Sequence, residues 1–204
     1  MNDFDKVATY YDKLARLVFG KSIKNSQSAF FNTIMPNNRI LICGGGTGWI
    51  LDELDGLGLE LHIEYVEYSK KMIELSKQRG PFENIIVDFF HASIIEHQIE
   101  SYDVIITNFF LDVFNIENLK AVIQRLKFSL NDSGSWIVTD FRNTSNLWHK
   151  FLNGLMHLYF RIFCSLESNR LQDFEKLLLN EHLRLVDRRL FYNGFIGSYH
   201  FKLG

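Results

Sequence analysis

The stretch from residue 40 to residue 48 constrains the fold more than any other part of the chain. Residues 40–43 are apolar, and four of the next five residues are glycines. This order predicts a doubly buried strand, a tight turn and then an apolar-periodic helix. Glycine suits a turn with positive φ, or one that a ligand approaches closely. Unpaired N–H groups at the helix start favour an anionic ligand, and a purely structural turn is the alternative.

The spacing of these glycines separates three kinds of ligand loop. A phosphate-cradling loop needs a lysine after its glycines, and none follows here. The dinucleotide fingerprint begins well at Gly44 and Gly46 but requires glycine at position 49, which is Trp49. Gly44, Gly46 and Gly48 instead resemble the first motif of class I S-adenosylmethionine-dependent methyltransferases, whose loop passes under the methionine part of the cofactor.

A second predicted strand, residues 61–67, ends in the carboxylate of Glu67. A carboxylate suits a vicinal diol because each oxygen accepts one O–H. The resemblance implies that Glu67 binds the ribose hydroxyls of the cofactor and that Tyr68 and Met72 face adenine, while Ser69 is placed to cap the next helix. A solvated carboxylate at a strand end is the alternative interpretation.

Residues 85–90 and 102–108 predict two further strands. The run 102–108 is similar to the fourth motif of the family, where cofactor and acceptor meet. Strand ends at 43–44, 67 and 107–108 would open on one edge of a parallel sheet, where ligands of open α/β sheets bind. The resemblance implies this cofactor-binding set: Tyr11, Cys43, Gly44, Gly45, Gly46, Glu67, Tyr68, Met72, His91, Ala92, Ser93, Asn108 and Phe109.

Two residues depart from the family pattern. His91 stands where many members carry an aspartate that accepts a hydrogen bond from the adenine amino group. A neutral imidazole still offers one acceptor nitrogen. Ile42 stands where an acid normally helps to hold the cofactor's ammonium group. We expect backbone carbonyls of Cys43 or Gly44, or water, to take over that contact.

The remaining patterns predict one domain, residues 1–204, with an α/β, Rossmann-like, seven-stranded, mostly parallel sheet and helices on both faces. An antiparallel C-terminal hairpin over 183–192 and 195–203 would distinguish this fold from the dinucleotide dehydrogenases. The other expected elements are helices over 3–34 (broken at Gly20, the second starting at Ser22 or Asn25), 47–56, 69–79, 116–130 (capped by Asn115) and 171–180, a turn over 131–134 and a strand over 136–141.

Two helical segments are expected to cover the sheet edge. In residues 1–35, the run Phe4-Asp5-x2-Ala8-x2-Tyr11-Asp12 resembles the opening of small-molecule methyltransferases, including the quinone-biosynthesis C-methyltransferases, which implies a lid. Tyr10 or Tyr11 would face the sulfonium, and plain packing on the sheet is the alternative. Residues 142–180 are predicted to form a substrate cover, because 145–164 is densely apolar. A partner surface or, less favoured, peripheral membrane contact are the alternatives.

Composition limits the partners and the compartment. The chain has 22 basic and 24 acidic residues, so no global basic field favours nucleic acid. Aromatic residues make up 15% of the chain and suit either a core or a pocket for an apolar substrate. Cys43 and Cys164 lie in apolar runs without metal-ligand spacing, which indicates reduced thiols, no metal and a cytoplasmic protein. The N-terminus lacks the pattern of a signal peptide.

The predicted chemistry is methyl transfer from S-adenosylmethionine to a small, aromatic or otherwise apolar acceptor. Such a displacement needs collinear positioning above all, and a general base only if the acceptor must lose a proton. Base candidates are Asp112, His91, Tyr11, Asp140 and His157. The alternatives are a cofactor-binding protein without transfer activity and a nicotinamide-dependent oxidoreductase. Acceptor and oligomeric state are left open by the sequence.

Overall fold

The structure, a computed structural model, describes residues 18–149, 152, 154 and 173–204. The strands are β1 (Arg39–Cys43), β2 (Leu61–Glu67), β3 (Ile85–His91), β4 (Tyr102–Asn108), β5 (Leu130–Phe141), β6 (Leu183–Phe191) and β7 (Ile196–Leu203). The helices are α1 (Ser22–Gln27), α2 (Trp49–Asp55), α3 (Lys70–Lys77), α4 (Ile116–Phe128) and α5 (Phe174–Asn180), with 3-10 turns at Phe31–Thr33 and Leu111–Val113.

The strands form one seven-stranded sheet in the order β3-β2-β1-β4-β5-β7-β6. The pairs among β1 to β5 are parallel, whereas β7 runs antiparallel to both β5 and β6. This confirms the predicted Rossmann-like sheet with its antiparallel C-terminal hairpin. Because strand order reverses beside β1, the carboxyl ends of β1 and β4 border a crevice suited to a ligand.

The register places the predicted strand ends side by side. Cys43, the last residue of β1, lies opposite Val66 of β2 and Thr107 of β4. Glu67 lies opposite His91 at the end of β3. The three strand ends therefore meet at one edge of the sheet, as the sequence predicts.

Apolar side chains fill both faces of the sheet, which explains why the central strands lack a polar face. On one face, strand residues pack against α4 and α5; these include Leu41, Ile105, Val138, Leu119, Val122, Leu126 and Leu178. On the other, they pack against α2 and α3 and the segment after α1; these include Ile40, Ile42, Ile63, Phe30, Ile50, Leu51, Leu54 and Ile73. Both faces are thus covered by helices, and the sheet edge is fixed in place.

Side-chain caps set two of the predicted helix starts. The Ser69 hydroxyl accepts the N–H of Met72 at 3.3 Å at the start of α3. The Asn115 carboxamide accepts the N–H groups of Glu117 and Asn118 at the start of α4. Such caps contribute about 1 kcal/mol each. The cap at Ser69 also fixes the chain that follows Glu67.

Some predicted boundaries are wrong. Residues 131–134 were predicted as a turn between helix and strand but lie within β5. In the pairing with β4, Tyr102 lies opposite Leu130 and Val104 lies opposite Ser135, so residues 131–134 bulge out of the strand. Asn-Asp-Ser-Gly composition suits a bulge as well as a turn. The predicted N-terminal helix that runs to residue 34 ends at Gln27 and is followed by a 3-10 turn. Among the described residues, no helix is long and apolar enough to cross a membrane.

Candidate cofactor site at the carboxyl edge of the sheet

The glycine loop after β1 has one open position and several closed ones. Gly46 has φ +62°, and a Cβ added there would meet nothing within 4 Å. A Cβ on Gly48, at φ +77°, would come within 2.9 Å of the Ser76 backbone in α3. Rings occupy the corresponding space at Gly44 (Phe110) and Gly45 (Tyr65). Only Gly46 thus presents bare backbone to open space, so part of the glycine pattern reflects packing of the loop rather than ligand approach.

Glu67 is oriented toward the glycine loop. One carboxylate oxygen accepts the N–H of Gly46 at 3.0 Å, and the other accepts the N–H of Ser69 at 2.8 Å. Burial raises the pKa of Glu67, and these backbone N–H groups oppose the shift. The N–H of Tyr68 also bonds to this carboxylate, whose two oxygens have four lone pairs in all, so acceptor capacity is left for ligand hydroxyls. The arrangement fits a vicinal diol.

The predicted adenine contacts lie beyond Glu67. Tyr68 is exposed, whereas Met72, in the first turn of α3, is buried. The Nε2 atom of His91 lies 2.9 Å from the carbonyl oxygen of Tyr68. A carbonyl oxygen can only accept, so Nε2 carries the hydrogen and Nδ1 of the neutral ring is an acceptor. His91 therefore retains the acceptor function expected at that position.

The next two predicted positions, Ala92 and Ser93, follow directly after β3. Ala92 packs against the apolar cluster under α4, and its N–H donates to the carbonyl oxygen of Glu67 at 3.2 Å. The Ser93 hydroxyl accepts the N–H of Ile95. Both residues fix the turn beside Glu67 rather than presenting free side chains to the crevice.

A second group of polar atoms lies at the opposite end of the loop. Asn108, at the end of β4, and Gln27, at the end of α1, line a small cavity of about 20 Å³ beside Cys43 and Gly44. Within the described residues, the side-chain oxygen of Gln27 and both amide atoms of Asn108 are buried without a hydrogen-bond partner. Unsatisfied buried polar atoms are rare in native proteins, and several at one cavity point to a missing partner.

Aromatic rings gather where β4, β5 and β7 come together. The Phe109 ring lies 4.7 Å from Phe141, and Phe141 lies 5.1 Å from Phe195 and 5.6 Å from Phe19. Phe109 has φ +51°, a conformation uncommon outside glycine. Strained backbone of this kind tends to occur at functional sites. The predicted site residue Phe109 therefore belongs to an apolar wall beside Asn108.

Two carboxylates lie behind this wall. Asp140, at the end of β5, accepts the N–H groups of Leu111 and Asp112 with one oxygen and that of Phe141 with the other. Burial raises the pKa of Asp112 to about 6. Burial also raises the pKa of Asp140, and the nearby charge of Asp112 raises it further. The pair therefore favours holding one proton near neutral pH. Asp140 also holds the turn that carries Asp112.

Several predicted features lie outside the described residues: Tyr10, Tyr11, His157, Cys164, residues 1–17 of the lid and the middle of the cover. Gln27, Tyr65 and Phe110 were not predicted as site residues. The Tyr65 hydroxyl donates to the carbonyl oxygen of Gly46 at 2.9 Å and thereby holds the loop against β2. No motif marks these residues, since each acts through three-dimensional packing. Across the described part of the chain, no cluster of three or more His, Cys, Asp or Glu side chains could hold a metal ion.

Comparison with known proteins agrees with this geometry. Residues 40–134 match the family model described as a methyltransferase domain. The chain is 31% identical over 141 residues to malonyl-[acyl-carrier protein] O-methyltransferase of Bacillus anthracis. That alignment covers 68% of this chain and 51% of the relative, so the chain spans about half the length of the relative it matches.

Solved structures share the fold over nearly the whole chain. An S-adenosylmethionine-dependent methyltransferase from Clostridium acetobutylicum superposes with a TM-score of 0.66 at 14% identity, over 100% of both chains. The Burkholderia thailandensis 1,6-didemethyltoxoflavin-N1-methyltransferase, solved with bound 1,6-didemethyltoxoflavin and S-adenosylhomocysteine, gives a TM-score of 0.69 at 15% identity. The superposition covers 99% of this chain and 87% of the Burkholderia protein. At such identities the likeness concerns the fold.

Proposed function

The chain belongs to the class I S-adenosylmethionine-dependent methyltransferase family, and we propose that it transfers the methyl group of S-adenosylmethionine to a small acceptor with an aromatic or otherwise apolar body. The single observation that carries this proposal is the pairing of Glu67 with the N–H of Gly46 across the crevice. That contact sets a diol-binding carboxylate beside an open glycine backbone.

The adenosine half of the cofactor is assigned to the residues after β2 and β3. Glu67 accepts the ribose hydroxyls with the acceptor capacity that the N–H groups of Gly46, Tyr68 and Ser69 leave. Tyr68 and Met72 flank adenine, and Nδ1 of His91 accepts from its amino group. Cys43, Gly44 and Gly45 lie under the methionine part, with Asn108 and Phe109 at the reacting end. Ala92 and Ser93 support this site by fixing the turn beside Glu67.

The bound cofactor supplies an electrophilic methyl group on a positively charged sulfur. The chain then has to orient the acceptor and exclude water, contributions that reach several kcal/mol in well-positioned reactions. We assign the acceptor to the side of the crevice where Phe109 follows Asn108 at the end of β4, because the partly buried Phe109 ring forms the edge of the buried aromatic cluster with Phe141 and Phe195. An apolar wall favours an acceptor with an apolar body.

A general base is required only for an acceptor that must lose a proton. Asp112 is the candidate that we favour, because it lies in the turn that follows β4 at the carboxyl edge of the sheet, where burial raises its pKa to about 6, a value that suits a base working near neutral pH. Residues 1–35 as a lid and 142–180 as a substrate cover, within one domain, complete the proposal. A cytoplasmic location is part of it and rests on the buried free thiol of Cys43. We infer no nucleic-acid partner, since the net charge is only −2.

A second acceptor class deserves a direct test. The curated relative is named for O-methylation of malonyl-[acyl-carrier protein], whose acceptor is a carboxylate. A carboxylate is already deprotonated at neutral pH and needs no base. An apolar wall and a carboxylate acceptor are compatible if the carboxylate is attached to an apolar body.

The test is a methyl-transfer assay with radiolabelled S-adenosylmethionine on two acceptor panels, one of phenols and other aromatic compounds and one of free and thioester-linked dicarboxylates. We expect product with the aromatic panel, and the Asp112→Asn variant to lower kcat for acceptors that carry an O–H or N–H. Product only with dicarboxylates would replace the aromatic assignment. Binding of S-adenosylmethionine without transfer to either panel would favour a cofactor-binding protein.

A further inference from the structure

The cavity beside Gly44 contains an unusual set of unpartnered atoms. Gln27 is 9% exposed, and its side-chain oxygen has no hydrogen-bond partner among the described residues. The side-chain oxygen and nitrogen of Asn108 are also buried without a hydrogen-bond partner among the described residues. A buried polar atom without a partner costs about 1–3 kcal/mol. The cavity therefore offers two acceptors, the side-chain oxygens of Gln27 and Asn108, and one donor, the NH2 group of Asn108. This holds for either orientation of the Asn108 amide, because both of its atoms lack a partner in that part of the chain.

The chemistry of the cavity defines what fits it. Two carbonyl-type oxygens require a donor with more than one hydrogen, and the NH2 group of Asn108 requires an acceptor. An ammonium group provides the first, and a carboxylate attached to the same carbon provides the second. An α-amino-acid head group therefore satisfies all three atoms. The volume of about 20 Å³ holds about one water molecule, which is the competing occupant, so only polar atoms of the head group would enter the cavity while the rest of it lies in the crevice.

The remaining lining of the cavity, as far as the structure describes the chain, carries no charged side chain. Ile42, which is 2% exposed, and Trp49 line it together with the glycine backbone. A carboxylate would hold an ammonium by charge, whereas the polar side chains that the described residues bring to this cavity are neutral amides. Gln27 belongs to α1, outside residues 40–134 that match the family model.

We propose that Gln27 and Asn108 together select the amino-acid head group of the cofactor, as a pair of neutral amides in place of an acidic side chain at position 42. The inference rests on the proposed function, since it names the part of S-adenosylmethionine that these residues contact. Cys43 and Gly44 carbonyl oxygens are then supporting contacts rather than the main ones.

The experiment compares two ligands that share the adenosine and sulfur parts. S-adenosylhomocysteine carries the amino-acid head group, and 5′-methylthioadenosine lacks it. We expect Gln27→Leu and Asn108→Leu each to weaken S-adenosylhomocysteine about tenfold in calorimetric titrations, because each removes a hydrogen bond to a charged group. Binding of 5′-methylthioadenosine should change by less than about twofold.

Gln124→Leu is the matched control, because Gln124 is exposed on α4 and its amide lies 3.4 Å from Glu181, away from the crevice. It should leave both affinities unchanged. The melting temperature of ligand-free Gln27→Leu should equal or exceed that of the wild type, since an unsatisfied atom is removed.

Equal weakening of both ligands, or unchanged S-adenosylhomocysteine binding with a lower melting temperature, would overturn the inference. The second result would assign the cavity to a structural water. A wild-type protein that binds neither ligand would instead contradict the proposed function.

Discussion

The two ends of the crevice differ in how far the chain satisfies its own polar groups. At the end that we assign to adenosine, Glu67 accepts N–H groups from Gly46 and Ser69, and His91 donates to the carbonyl oxygen of Tyr68. At the opposite end, Gln27 and Asn108 have buried atoms without partners in the described part of the chain. The polar groups of the first end are hydrogen-bonded within the protein before a ligand binds, whereas those of the second end need a ligand or water as a partner. Preorganisation lowers the free-energy cost of binding, so the adenosine end should dominate affinity.

The largest expected effect comes from breaking the organised end. Glu67→Ala removes the acceptor of both ribose hydroxyls and the contact that holds Gly46, so S-adenosylhomocysteine binding should weaken about 100-fold, or about 3 kcal/mol. Calorimetric titration measures this directly. Glu74→Ala, an exposed acid on α3 that lies 3.7 Å from Lys71, is the control and should bind normally. A Glu67→Ala protein with unchanged affinity would mean that this carboxylate does not contact the ligand.

A pair of glycine substitutions separates ligand binding from packing at the same loop. Gly46→Ala places a methyl group in open space, so it should lower S-adenosylhomocysteine affinity about tenfold and cost about 1 kcal/mol in stability for its positive φ. Gly48→Ala drives a Cβ into the Ser76 backbone and should lower the free energy of unfolding by about 2–3 kcal/mol. Urea unfolding and calorimetry report the two quantities. The same loss of stability for both variants would contradict the open position at Gly46.

The smallest effect concerns the acidic pair behind the aromatic wall, which belongs to neither end. A folded-state pKa of Asp112 near 6, above the ordinary value of 3.8, gives stability that is present below the ordinary pKa and lost as pH rises through about 6. Asp112→Asn should therefore raise the free energy of unfolding by about 1 kcal/mol near pH 8 and not near pH 4. Urea unfolding at both pH values checks this. A gain of equal size at both would exclude titration of Asp112 as its cause.

Ligand binding should respond to pH in the opposite direction. A raised pKa of Glu67 brings protonation of this carboxyl closer to neutral pH, and the protonated form loses acceptor capacity. The affinity for S-adenosylhomocysteine should therefore fall as pH is lowered from about 8 to about 5. The affinity of Glu67→Gln should fall less steeply over the same range. A parallel decline in both proteins would place the titrating group elsewhere.

The difference between the two ends also explains how much the sequence predicts. Residues close to one another in the chain specify the organised end: the glycine loop, Glu67 two positions before its neighbour Ser69, and the strand patterns that align them. The sheet order follows from those patterns because the connections of a parallel sheet are strongly restricted. Gln27, Tyr65 and Phe110 reach the loop only through packing across the fold, so no local pattern identifies them.

Strand boundaries that depend on pairing with a distant strand also could not be predicted from the sequence. The bulge over residues 131–134 has the composition of a turn, and only its pairing with β4 shows that the strand begins at Leu130. The glycines show a related limit. Their spacing predicts a ligand loop, but in the structure Gly48 packs against Ser76, and only the Cβ position of Gly46 in this loop faces open space. A motif can thus be correct as a whole while its residues serve different purposes.

We propose that one molecule of S-adenosylmethionine lies along the crevice from His91 to Gln27. A crystal structure of the complex with S-adenosylhomocysteine tests this placement most directly. We expect both ribose hydroxyls within hydrogen-bond distance of Glu67, with the amino-acid head group against Gln27 and Asn108. Density for the ligand elsewhere, or a Glu67 carboxylate directed away from the ribose, would contradict it.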